Sequence, residues 1–134
     1  MIRAVLSLCF LLPMSVTDLK ERIVPLSLSI SLFVLSVVWG TMHNFNDVIV
    51  ALCYSLALFV MYVITLPKNR TLGGADILVI MSIMFMFTVQ ISAIIILIAI
   101  GFSFMYLFLT KEEDVPYVFM LTLAMIFVDL FSKN

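Results

Sequence analysis

ISAIIILIAIGFSFMYLFL, residues 91–109, contains no charged side chain and is close to the ~20 residues with which a helix crosses a hydrocarbon core of ~30 Å. Similar runs flank it. Ile77 to Val89, Val48 to Leu66, Leu26 to Met42 and Ile2 to Val16 lie before it, and Val115 to Phe131 lies after it. Only helices and closed barrels satisfy their backbone groups in lipid, and these runs lack the period-two alternation of barrel strands. The expected fold is therefore all-α, a polytopic membrane bundle of about six transmembrane helices. The run from Ile77 is the shortest, and only Thr88-Val89-Gln90 separates it from the next, so five spans with one long bent helix is the alternative.

Composition agrees. The 134 residues are 65% hydrophobic and 11% charged, with a mean hydropathy of +1.31, outside the range of a soluble domain of this size. The loops are too short for a soluble domain, so residues 1–134 read as a single membrane-embedded domain. A net charge of -1, without basic stretches interleaved with aromatics, argues against a nucleic-acid partner. Cys9 and Cys53 lie inside apolar runs with no Cys or His at ligand spacing, and the ten methionines are scattered, so neither set suggests a metal or any other cofactor. Arg3 followed by Ala4 to Met14 looks superficially like a signal peptide. No small-x-small cleavage signal follows, and the segment reads as the first span.

With six spans the loops alternate sides. Asp18 to Pro25, Pro67 to Asp76 and Thr110 to Asp114 share one side, carrying Lys20, Arg22, Lys68, Arg70 and Lys111; Arg3 and Lys133 fall on the other. Five of the seven bases on one side make that side cytoplasmic and send both termini outward.

Asp18 and Asp76 both fall on the cytoplasmic side, each where a span meets a loop. Carboxylates near lipid tend to face a bundle interior or a water-filled cavity, although a loop-edge carboxylate can also sit in headgroup water. Gly73-Gly74-Ala75 before Asp76 removes side-chain bulk, so an extended peptide could approach the backbone closely. The plainer reading makes Gly73-Gly74 a turn and Asp76 a helix-start residue that complements the dipole. Pro25 helps begin the second span, and Lys20 and Arg22 read as headgroup anchors. Asp47 and Asp129 lie towards the opposite face, and Glu21, Glu112, Glu113 and Asp114 sit beside Lys or Arg as loop charges. Glu112, Glu113 and Asp114 could also attract a basic substrate segment. His43 reads as solvated in an outer loop.

In order and spacing, Asp18-Leu19-Lys20-Glu21-Arg22-Ile23-Val24-Pro25 and Gly73-Gly74-Ala75-Asp76 resemble the two motifs of the type IV prepilin peptidases and their archaeal preflagellin relatives, membrane aspartic proteases of the GxGD type. In that family a first aspartate precedes a basic loop and an Ile-Pro pair, here Val24-Pro25. A second aspartate ends a glycine-rich motif opening the fourth span. Six spans, and Val115-Pro116-Tyr117 leading into the last, fit the same pattern, so the resemblance covers the whole chain. Two positions depart from it: Leu78 stands where relatives often carry a lysine, and Leu26 where an asparagine often follows the Ile-Pro pair. No N-terminal region with paired cysteines is present, so the resemblance is to a minimal, peptidase-only form.

The resemblance implies a membrane-edge aspartic endopeptidase of the cytoplasmic membrane that removes the short basic leader of prepilin-like proteins, with Asp18 and Asp76 catalytic and no metal or other cofactor. Gly73 and Gly74 would admit the extended substrate. The alternative from another class is a catalytically inactive relative, or a small helical membrane protein serving pilus or secretion assembly or transport. A transporter would be expected to place ionisable groups near the bilayer midplane.

Overall fold

The computed structural model describes residues 2–43, 45–65, 73–111 and 115–131, and among them every regular element is a helix. The order is α1 (Ile2–Glu21), α2 (Leu26–His43), α3 (Phe45–Thr65), α4 (Gly74–Met86), α5 (Val89–Thr110) and α6 (Tyr117–Phe131). Helices α1, α2, α3 and α5 are long and apolar enough to cross a membrane. Helices α4 and α6, at 13 and 15 residues, are shorter.

The shortest helix is the centre of the bundle. At ~1.5 Å per residue α4 is only about 20 Å long, yet it touches each of the other helices. Ile77, Val79, Ile80, Met81, Ser82, Ile83, Phe85 and Met86 are buried, which covers every face of the helix. A helix that is apolar all round belongs in the interior, and one wrapped in protein need not match the bilayer thickness.

Small residues allow that wrapping. Helix α2 buries Ser29, Leu32, Ser36 and Gly40, a stripe spaced by three or four residues, and it packs more closely on α4 than on any other helix. A β-carbon on Gly40 would stand 2.7 Å from the Phe85 carbonyl oxygen and 3.0 Å from Val48 Cγ2, so only glycine permits this approach. The serine hydroxyls add no unpaired donor, since Ser29 donates to the carbonyl of Pro25, just before the helix, at 3.2 Å and Ser36 to that of Phe33 at 2.7 Å. Bulky residues such as Leu56, Leu97 and Phe104 point outward, where lipid would meet them.

Between α4 and α5 the chain reverses on Phe87 and Thr88, both extended. The Phe87 N–H and the Ser92 hydroxyl both donate to the Ile83 carbonyl, at 3.0 and 3.1 Å, and so satisfy the end of α4. The two runs are therefore separate helices and not one bent helix, with the break slightly earlier than Thr88-Val89-Gln90. This turn, the start of α1 and the end of α6 share one end of the bundle, because Arg3 lies over the Phe87 ring and lines a cavity with Asp129.

Candidate active site

Helix α1 runs one turn further than its apolar stretch. The first motif aspartate thereby becomes helical: Ala4, Ser7, Leu11, Met14 and Asp18 form one buried stripe at spacings of three and four, which places Asp18 facing the bundle in the last turn. It is only 5% exposed. Its Oδ2 accepts the backbone N–H groups of Val118 at 2.9 Å and Phe119 at 3.2 Å, in the first turn of α6. Those amides have no partner within their own helix, and the positive end of the helix dipole favours an anion there. Asp18 is thus the N-cap of a helix a hundred residues away.

Asp76 stands in the first turn of α4, where its Oδ2 accepts the Gly73 N–H at 2.9 Å. The capping function expected of an acidic residue at a helix start is real, and it occupies one oxygen. The other, Oδ1, is buried with no hydrogen-bond partner among the described residues. Asp18 is close enough to act on Asp76 through its charge, and Asp76 acts in the same way on Tyr117 at the start of α6. The last turn of α1 and the first turns of α4 and α6 therefore converge, and each brings a titratable side chain.

Gly73 and Gly74 form an exposed rim beside Asp76. Gly73 is extended, with φ -77° and ψ 153°, a conformation open to any residue. A β-carbon at Gly73 would have Asp76 Oδ2 as its nearest neighbour, at 3.4 Å, and one at Gly74 would have the Tyr62 hydroxyl, at 3.5 Å; both are ordinary contacts. Among the described residues, nothing closes either position to a β-carbon.

The family model described as the type IV leader peptidase family matches residues 5–109. The chain belongs to the type IV leader peptidase family. The matched region holds both aspartates, α2 to α4 and all of α5 but Thr110, while α6 lies beyond it. Comparison with curated proteins and with solved structures finds no match.

In this leader peptidase relative several other charges differ from their sequence reading. Arg22 takes a left-handed conformation, φ 55°, and its N–H donates to the Asp18 carbonyl at 3.1 Å, which ends α1. Its guanidinium donates to the Tyr106 hydroxyl at 2.9 Å and lies 5.7 Å from that ring's centre, tying the end of α1 to α5 while the side chain stays exposed. His43 is exposed but ends α2 and does not sit in a loop; its ring stacks on Trp39 at 4.2 Å. Asp47 and Asp129 lie within α3 and α6. Cys9 and Cys53 are free thiols on outward helix faces. Leu78, half-buried in α4, brings no charge to the site. Glu112, Glu113 and Asp114 lie outside the described residues.

Two parts of the site escaped the sequence reading. The Val118 and Phe119 donors are backbone groups, which no residue type announces; the proline before Tyr117, a common start for a helix, is their one trace. Tyr117 was visible only as part of the lead-in to the last span. The burial of Asp18 could have been read from the Ala4-Ser7-Leu11-Met14 stripe that it continues.

Proposed function

We propose that the protein is an aspartic endopeptidase that cuts the basic leader from type IV prepilin-like substrates at the cytoplasmic edge of the membrane, with Asp18 and Asp76 as its catalytic pair. What supports this reading is a buried carboxylate at the end of α1 and a half-buried one at the start of α4, on helices far apart in sequence and near enough for the charge of Asp18 to act on Asp76. Family membership supplies the peptidase chemistry, and the excess of basic residues at that end supplies the side.

Two carboxylates in such surroundings hold one proton between them more readily than two charges or none. Asp18, with two N–H donors on Oδ2 at a helix N-terminus, is the ionised member. Asp76, whose Oδ1 has no donor, carries the proton. Asp18 takes a proton from water as the water oxygen bonds to the scissile carbonyl carbon, and Asp76 gives its proton to the carbonyl oxygen. When the tetrahedral intermediate collapses, the C–N bond breaks and the leaving nitrogen takes the proton held on Asp18. Asp76 is reprotonated from the hydroxyl that becomes the new carbonyl, which restores the starting state.

The substrate must present extended backbone, because a peptide bond inside a helix is shielded. The open rim at Gly73 and Gly74 suits such a segment, and Glu112, Glu113 and Asp114, which precede α6 in sequence, suit a basic leader. Asp18→Asn or Asp76→Asn is expected to lower leader cleavage by at least ~10²-fold without changing membrane insertion. Full activity in either variant would remove the pair from the mechanism. Failure of the unaltered protein to cut any of a panel of prepilin-like substrates would favour the scaffold alternative.

A further inference from the structure

The acceptors and donors around the two aspartates do not balance. Asp18 Oδ2 consumes the Val118 and Phe119 amides at the start of α6, and Asp76 Oδ2 consumes the Gly73 amide at the start of α4. The helix N-termini at this end of the bundle, the natural source of N–H donors for a developing oxyanion, have thus spent these amides on the carboxylates themselves. Asp76 Oδ1 has no donor among the described residues. A carbonyl oxygen brought here for attack would find the proton on Asp76, while the Val118, Phe119 and Gly73 amides are already engaged.

Tyr117 is placed to change that. It is the first residue of α6 and directly precedes the two amides that hold Asp18, while its side chain lies in electrostatic range of Asp76. Its ring packs against the main core cluster, which includes Leu11, Met14, Val79 and Leu121 and draws on α1, α4 and α6. A phenol held by its ring has one O–H to direct and little rotamer freedom to lose in directing it. We propose that the Tyr117 hydroxyl donates a hydrogen bond to the carbonyl oxygen of the peptide bond being cut, beside the proton carried by Asp76, making Tyr117 a third catalytic residue. The inference rests on the aspartate-pair reading above. It adds that α6, through one residue, holds Asp18 by backbone and stabilises the reacting carbonyl by side chain.

The test is steady-state cleavage of a prepilin-like substrate by the purified full chain. Tyr117→Phe keeps the ring and its packing and removes only the donor. It is expected to lower kcat about 10²-fold, the usual cost of one oxyanion donor, and to leave KM within about twofold. Tyr54→Phe, on the outward part of α3, serves as the hydroxyl-loss control and is expected to match the parent. A kcat for Tyr117→Phe within about threefold of the parent, or a loss confined to KM, overturns the proposal. Fluorotyrosines at position 117 give a second readout that ring packing would not move: kcat should track the acidity of the phenol, and a flat series overturns the proposal even if Tyr117→Phe folds poorly. Cleavage lost in Asp76→Asn but retained in Tyr117→Phe removes the tyrosine alone, whereas cleavage retained in Asp76→Asn removes the pair on which it rests.

Discussion

Asp18 Oδ2 accepts two backbone amides of α6, so the carboxylate proposed for catalysis is also a helix cap. The two roles separate under substitution. Asparagine keeps an acceptor oxygen for the α6 amides, whereas alanine leaves Val118 N–H buried and unpaired. Asp18→Ala is therefore expected to be less stable than Asp18→Asn by about 1–3 kcal/mol in detergent-solubilised unfolding, with both inactive. Equal stability would mean that the cap contributes nothing. Gly74 offers the converse case, with function expected to fail and the fold to hold. Among the described residues a β-carbon there meets only the Tyr62 hydroxyl at 3.5 Å, so Gly74→Ala should stay within about 0.5 kcal/mol of the parent in stability while its KM for leader cleavage rises. An unchanged KM would show that the rim is not where the extended substrate lies.

Among the helices, α2 and α4 form the most intimate pair, and their contact depends on the absence of one atom. Placing a β-carbon on Gly40 would set it 2.7 Å from a backbone oxygen of Phe85, which cannot swing aside as a side chain can. Gly40→Ala is expected to destabilise the protein by about 1–3 kcal/mol despite the better helix propensity of alanine. Gly101 in α5 has nothing within 4 Å of the same position, so Gly101→Ala should be neutral or stabilising by up to ~1 kcal/mol. Matching thermal-unfolding shifts in the two variants would refute the close α2–α4 approach. Because α4 carries Asp76, the Gly40 variant should also lose leader cleavage in proportion to its lost packing, while Gly101→Ala keeps it.

Across the whole molecule, the bundle has two chemically distinct ends. Asp18, Arg22, the Gly73 rim and Tyr117 gather at one, and Arg3, the Phe87 turn and Asp129 at the other. If the first faces the cytoplasm, cysteines introduced as Lys20→Cys and Lys111→Cys, in a background without Cys9 and Cys53, should react with an impermeant reagent in inverted vesicles and not in intact cells. His43→Cys should show the opposite pattern. Labelling of all three from the same side would overturn the six-span orientation. The apolar runs made the bundle legible from composition, since nothing else solvates such stretches, and motif order singled out the two aspartates as a candidate pair. The run beginning at Ile77 was legible as short but not as central, because an apolar run reads alike against lipid and against protein.

The sequence by itself determined a helical membrane bundle, its apolar runs, the side that carries most basic residues and the two aspartates to compare. These follow from side-chain chemistry and local spacing, which a chain carries wherever it folds. Only the tertiary structure decided that Asp18 lies within a helix and caps α6, that α4 is enclosed by the other helices, that Gly40 permits their approach, and that the start of α6, with Tyr117, lies against the end of α1. Each of these depends on backbone amides, close approach or contacts between residues distant in sequence, and such relations exist only once the helices have packed.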